Sequence, residues 1–228
     1  MKKNKTNSYP VFYKKLRRQL SKKQQYLLKY TLKKYLFKNS KTSKKKFLEI
    51  GFGYGENLIN LSKKNSDKLI IGCEIYEPGI ASAVEKINNE GLKNTFIFKE
   101  NIFFLLRKLK KNYIDKVFIL FPDPWPKKKH FKRRLISNKF LIQVCKILKK
   151  KGLIIISTDS ENYLKSILKE FFLNKNFLWV DRKTADCYKR PKELIESKYE
   201  KKATLKNNKK YFLKFKKMCW TIGYKTLD

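Results

Sequence analysis

Five short apolar runs, each leading into a segment of helical spacing, constrain this chain more than any other feature. The runs are "KFLEI" (46–50), "KLIIGCEI" (68–75), "TFIFK" (95–99), "DKVFILF" (115–121) and "LIIIST" (153–158). The intervening segments are "GENLINLSKK" (55–64), "PGIASAVEKINNEG" (78–91), "IFFLLRKLKK" (102–111), "LISNKFLIQVCKILKKKG" (135–152) and "SENYLKSILKEFF" (160–172). Pro78 stands near a helix start, and Gly91 and Gly152 stand near helix ends. Strands that are apolar throughout need cover on both faces. The pattern therefore predicts a doubly wound, mostly parallel α/β sheet with helices on both sides. Two late strands are expected in "FLWVD" and "YFLKFKKMCWTIGYK", separated by a polar stretch (182–210) read as a loop or small insertion. There is no internal repeat.

Charge sets the class of partner. The 228 residues carry a net charge of +38, and residues 1 to 48 hold 17 Lys or Arg with no carboxylate before Glu49. A Lys-, Asn- and Ile-rich composition of the kind an AT-biased genome produces explains part of this. The uneven distribution favours a polyanionic partner, most simply nucleic acid, whose phosphates shed counterions when lysine and arginine neutralise them. Residues 1–45 read as a basic, partly disordered N-terminal extension, and 46–228 as the domain proper. Cys73, Cys145, Cys187 and Cys219 show no CxxC spacing, so no metal site is expected. Cys73 and Cys219 read as buried structural thiols, and the four thiols together indicate a reducing, cytoplasmic setting. No membrane span or secretory signal is found, and the acid-free N-terminus leaves an organelle address open.

The first strand ends in "LEIGFGYGENL" (48–58): Glu49, then Gly51, Gly53 and Gly55, then a helix. Glycines there allow a sharp turn and close backbone approach to a ligand at a helix N-terminus. Glu74 ends the second strand, 19 residues after Gly55, where a carboxylate can accept both hydroxyls of a ribose. The spacing Gly-x-Gly-x-Gly differs from the pattern that cradles a pyrophosphate, which disfavours a dinucleotide oxidoreductase. It suits a nucleoside cofactor without phosphates, S-adenosylmethionine. Asn101, after the third strand, is placed to meet the adenine and is also a natural helix N-cap.

The fourth strand leads into "FPDPWPKKKHFKRR" (121–134). Pro122, Pro124 and Pro126 each remove a backbone donor and fix φ, so a stiff exposed loop is expected. In open α/β sheets ligands bind at the carboxyl ends of strands, which directs Asp123 toward the cofactor's reactive end. Six of the eight residues from Lys127 to Arg134 are cationic, which fits phosphate contacts from Lys128, Lys129, Lys132, Arg133 and Arg134. His130 reads as an RNA contact or loop residue rather than a base. Trp125 either stacks on a base or packs the loop, packing being the commoner role.

In order, "EIGFGYG", "GCEIYEPG", "FPDPWPKKKHFKRRL", "STDSENY" and "SKYEKK" resemble the tRNA (guanine-N7)-methyltransferases, from about residue 47 to the C-terminus. The Pro-Asp-Pro-Trp block is the most specific part. The resemblance implies a class I, Rossmann-like methyltransferase fold with seven strands, the last antiparallel, and a monomer or homodimer needing no partner subunit. It also implies that Glu49, Glu74, Asn101 and Asp123 surround the cofactor, and that Lys127, Asp159 and the segment Ser197, Lys198, Tyr199 and Glu200 contact tRNA. The substrate guanine would lie in the variable loop. Ser197 stands where the family usually has Thr, and Ser160 where an aromatic is common. Guanine N7 carries a lone pair at neutral pH, so its methylation needs no general base, in keeping with a single histidine.

Rival readings remain. A methyltransferase acting on exocyclic amines places Pro-Pro-aromatic at the same strand end, but here an aspartate intervenes. Cytosine C5 chemistry needs a nucleophilic cysteine, typically after proline, and no Pro-Cys pair exists. A non-catalytic RNA-binding protein would explain the charge but not Glu49, the three glycines, Glu74 and Asp123.

Overall fold

A computed structural model describes residues 19–39, 42–181, 183–196, 198–205 and 207–218. Seven strands form one sheet in the order β3-β2-β1-β4-β5-β7-β6. They are β1 (Lys46–Ile50), β2 (Leu69–Cys73), β3 (Thr95–Phe98), β4 (Ile114–Leu120), β5 (Leu148–Thr158), β6 (Phe177–Trp179) and β7 (Tyr211–Lys217). The first five are parallel, and β7 runs antiparallel to both β5 and β6. This is the doubly wound, mostly parallel sheet expected.

The buried strands carry their apolar side chains to both faces, producing two cores. On one face α4 (Ile102–Lys108), α5 (Asn138–Ile147) and α6 (Glu161–Leu173) pack through residues such as Leu105, Phe140 and Ile167. On the other, α2 (Glu56–Lys64) and α3 (Glu77–Asn89) bury Leu58, Ile80 and Val84. The second core includes Leu27 and Leu32, from a helical stretch made of α1 (Lys22–Tyr26), a π-helical turn (Leu27–Thr31) and a 3₁₀ turn (Leu32–Tyr35). Helices this short are marginal in water on their own. Two buried leucines, each worth roughly 1.5–3 kcal/mol, hold this one. The Phe37 amide also bonds the Ile97 carbonyl at the β3 edge (2.8 Å). Packed structure thus begins upstream of residue 46. Residues 1–18 lie outside the described residues.

Two expectations are corrected. The helix read over 135–152 ends at Ile147, and 148–152 opens β5 instead. The Lys217 ammonium donates to the Cys145 and Leu148 carbonyls (2.7 Å each), capping the helix end. Lys149 pairs with Asp115 (2.9 Å), and Lys151 takes φ 63° where the β4–β5 register shifts. Tertiary partners therefore override the helix propensity of a lysine-rich run. Gly152 is a packing glycine in this bulge: a Cβ there would lie 2.8 Å from the Leu148 side chain. The stretch 182–210 is also more than a loop, for it includes a 3₁₀ turn (Thr184–Tyr188) and α7 (Lys198–Leu205).

Cys73 is buried as expected, its thiol 3.3 Å from the Glu100 carbonyl. Cys187 is buried as well, and Cys219 lies outside the described residues. Among the described residues, no helix is long and apolar enough to cross a membrane.

Candidate active site

Strand register brings the candidate residues to one edge. Ile50 pairs with Cys73, Cys73 with Phe98, Ile50 with Ile119 and Leu120 with Ser157, so the parallel strands end level. Glu49, Glu74, Asn101, Asp123 and Asp159 all sit within a few residues of those ends. Because β7 is antiparallel, it begins where β5 finishes, with Tyr211 opposite Thr158. The segment preceding it reaches the same edge, and Asn208 donates to Asp159 (3.1 Å).

The glycine turn has Gly51, Gly53 and Gly55 all at positive φ (73°, 56° and 82°), a conformation that side chains strain to adopt. Glu74 braces this turn. Its Oε2 accepts from the Gly53 amide (2.9 Å), and its Oε1 accepts from Ile75 (2.7 Å) and Tyr76 (3.0 Å). A carboxylate offers about four acceptor sites. Three are taken by backbone, which leaves room for one ribose hydroxyl rather than two. Packing is equally tight behind the turn, since a Cβ on Gly79 would lie 2.3 Å from the Gly53 carbonyl.

Glu49 lies under the turn, 2% exposed, with Oε2 lacking any hydrogen-bond partner. Burial pushes its pKa up to about 8, Glu56 and Glu74 add to that rise, and the nearby Asn57 side chain opposes it. Both polar atoms of the Asn57 side chain are themselves buried without a well-formed hydrogen bond. A buried acid and a buried amide left unsatisfied beside a glycine turn form a polar socket. Asn57 was missed in the sequence because it falls inside a helix, where nothing in its neighbours marks it. Asn101 caps α4, accepting from Phe103 (3.0 Å) through Oδ1. Its side-chain NH₂ is left to donate.

Glu49 predicts a pH dependence. Its folded pKa lies above the ordinary 4.5, so the folded state holds a proton that the unfolded state has lost between about pH 4.5 and 8. Stability of the ligand-free protein should therefore fall as pH rises through that window. Thermal melts across a buffer series check this, and Glu49→Gln should flatten the slope there.

The loop after β4 is held from behind. Phe121 and Trp125 both take left-handed φ (50° and 44°), strained values for aromatic residues. The Phe121 amide bonds the Ser157 carbonyl (2.9 Å), and Trp125 is packed by the His130 ring (5.8 Å) and the Arg133 guanidinium (5.0 Å). Trp125 thus packs the loop. Asp123 is exposed at the tip, as are Lys127, Lys128, Lys129 and Lys132. Partial burial and the charges of Arg133, Lys129 and Lys127 lower the pKa of His130, favouring the neutral ring.

Arg134 corrects the expectation of a phosphate contact. It is 7% exposed, donating from Nε to the Pro124 carbonyl (2.9 Å) and from its terminal nitrogen to Asn162. Its guanidinium lies over Phe131 (3.7 Å) and Tyr163 (4.9 Å). Tyr163 in turn accepts from the Ile136 amide (3.2 Å), and burial raises its pKa to about 12, with Asp123 contributing to that rise. Position in a charge run did not reveal this. Only folding brings Pro124, Asn162 and Tyr163 around one cation.

Glu200 is likewise not presented to a substrate. It is 2% exposed, and Oε1 accepts from Nε and a terminal nitrogen of Arg190 (2.9 and 2.8 Å). Ser197 lies outside the described residues, as do the side chains of Lys198 and Tyr199.

The sheet order, the glycine turn and the strand-end acids together define a class I methyltransferase fold. A family described as "putative methyltransferase" matches residues 43–213. The tRNA (guanine-N(7)-)-methyltransferase of Buchnera aphidicola subsp. Baizongia pistaciae is 39% identical over 170 residues, covering 74% of this chain and 70% of that protein. The chain belongs to the tRNA (guanine-N7)-methyltransferase family. It is also 36% identical over 206 residues to a bifunctional methyltransferase of Rickettsia typhi, covering 89% of this chain but 39% of that protein's length. The crystal structure of the 16S rRNA methyltransferase KamB shares the fold, with a TM-score of 0.55 at 13% identity over 76% of this chain and 88% of the other.

Proposed function

We propose that this protein transfers a methyl group from S-adenosylmethionine to guanine N7 of tRNA, forming 7-methylguanosine in the variable loop. The observation that carries the reading is the Asp123 loop, clamped by Arg134 at the end of β4 and level with the Glu74-braced glycine turn. The names of the family's members support the choice of base and atom.

The residues present fit the cofactor. Glu49 and Asn57 offer unsatisfied buried atoms for its charged amino-acid end. The turn of Gly51, Gly53 and Gly55 would lie beside that end, Glu74 has one acceptor position left for a ribose hydroxyl, and the Asn101 NH₂ would donate to the adenine. When bound, S-adenosylmethionine supplies an electrophilic methyl on a sulfonium. Glu49 must be ionised to hold an ammonium, so cofactor affinity rises with pH toward about 8, opposite to the trend in ligand-free stability.

No proton need leave the guanine before attack, so the work of the chain is alignment, which can supply several kcal/mol. Asp123 either accepts from the guanine N1–H and exocyclic amine or balances the positive charge growing on the ring. Lys127, Lys128, Lys129, Lys132 and Arg133 take phosphates, and Asp159 faces the substrate. Glu200 ties α7 to Arg190 rather than touching RNA.

The direct test is methyl transfer from labelled S-adenosylmethionine to an unmodified tRNA transcript, mapped by base-specific chain cleavage. The expected product is cleavable 7-methylguanosine in the variable loop. Label on an exocyclic amine, or none, would overturn the assignment.

A further inference from the structure

The stretch from Lys22 to Tyr35 has no role in the site described above, yet it carries an unusual surface. Its apolar side, Leu27 and Leu32, is committed to the core. The opposite side exposes Tyr26 (61%) and Tyr30 (49%), whose ring centroids lie 5.1 Å apart with planes inclined at 44°. The Lys29 ammonium lies 5.1 Å from the Tyr30 ring centre. Lys22, Lys33 and Lys34 are exposed on the same segment, and no carboxylate occurs in the chain before Glu49. The segment is also rigidly placed. Lys23 pairs with Glu85 and the Tyr35 hydroxyl donates to Asn88 (3.1 Å), both on α3. The π turn falls directly after Tyr26, and such insertions are frequent at functional positions.

Single exposed aromatics are ordinary. Two adjacent rings among exposed lysines, on a stretch that itself carries no acid, are the composition of a platform for unpaired nucleotides: bases stack on the rings and cations track the backbone. We propose that Tyr26 and Tyr30 form a second RNA-binding surface, outside the catalytic edge, that stacks an unpaired base of the tRNA substrate while Lys22, Lys29 and Lys33 hold its phosphates. This rests on the tRNA reading above. An anionic membrane is the poorer partner, because the apolar face an interfacial helix would insert is already buried in the core.

The test compares wild type, Tyr26→Ala/Tyr30→Ala and Tyr26→Phe/Tyr30→Phe, using tRNA filter binding, methylation kinetics and thermal melts. The alanine pair should raise the Kd for tRNA roughly 5- to 100-fold, with the loss in KM rather than kcat. The phenylalanine pair should bind nearly as wild type, and the melting temperatures should agree. An unchanged Kd in the alanine pair, with wild type methylating guanine N7, would overturn the platform and leave the enzymatic reading intact. Weakened binding in the alanine pair, with no methylation by wild type, would support the platform and sink the enzymatic reading. Equal loss in the phenylalanine pair would also overturn it.

Discussion

Asp123→Ala should lower kcat for tRNA methylation by roughly 100- to 1,000-fold, the range found when one preorganised electrostatic contact to a reacting group is removed. The side chain is exposed at the loop tip, where a polar or ionic contact contributes about 1 kcal/mol at most, so stability should shift by no more than that. Single-turnover assays at saturating tRNA and cofactor check the first statement, and urea unfolding checks the second. Asp123→Asn divides the two proposed roles. An amide keeps one acceptor but presents an NH₂ where a carboxylate faced the guanine donors, and it carries no charge. If charge balance dominates, Asn should be nearly as slow as Ala, and the deficit should be the same whether the target base is guanine or hypoxanthine. If base orientation dominates, replacing the target guanosine by inosine, which lacks the exocyclic amine, should slow wild type far more than the variant. A fully active Asp123→Ala enzyme would remove this residue from the reaction.

Arg134→Ala should be the most destabilising change in the loop. It strips the half-buried Pro124 carbonyl of its donor and leaves Phe131 and Tyr163 without the guanidinium that lies over both rings. Charge-assisted buried bonds of this kind are worth about 1.5–3 kcal/mol each, so a loss of about 3 kcal/mol is expected. Catalysis should fall as well, by roughly 100-fold, because about 1 Å of drift at an aligned group costs that much. Arg134→Lys is the discriminating variant. A lysine keeps the charge but not the flat fork that reaches Pro124 and Asn162 together. It should therefore recover little activity, and the defect should lie in kcat. A residue that merely gripped phosphate would behave differently. Lysine would rescue it, and the loss would appear as weaker tRNA binding that deepens with salt. The Lys129 and Lys132 positions, exposed in the same run, provide that comparison.

Legibility in the sequence followed how local each signal was. The strand–helix alternation is a property of neighbouring residues, and strands 46–50 and 95–98 are found within a residue of where the apolar runs place them. The placement of Glu49, the glycine turn, Glu74, Asn101 and Asp123 along one sheet edge was legible because each lies at or just past a strand end, and parallel strands in register deliver their ends to one edge. The helix end at Ile147 was not. Its stop is a lysine 70 residues further on, reaching back to two carbonyls.

By itself, then, the order of apolar runs, glycines and acids determined a doubly wound sheet with its glycine turn and acids at one edge and a strong excess of positive charge, because those depend on composition and on spacing along the chain. Tertiary structure alone decided which charges are available for binding. Arg134 and Glu200 look like their exposed neighbours in sequence, and become internal braces only when Pro124, Asn162 and Arg190 converge on them. Burial makes an isolated charge costly, so each is retained where partners from distant segments meet it. No reading of spacing along the chain can anticipate that convergence.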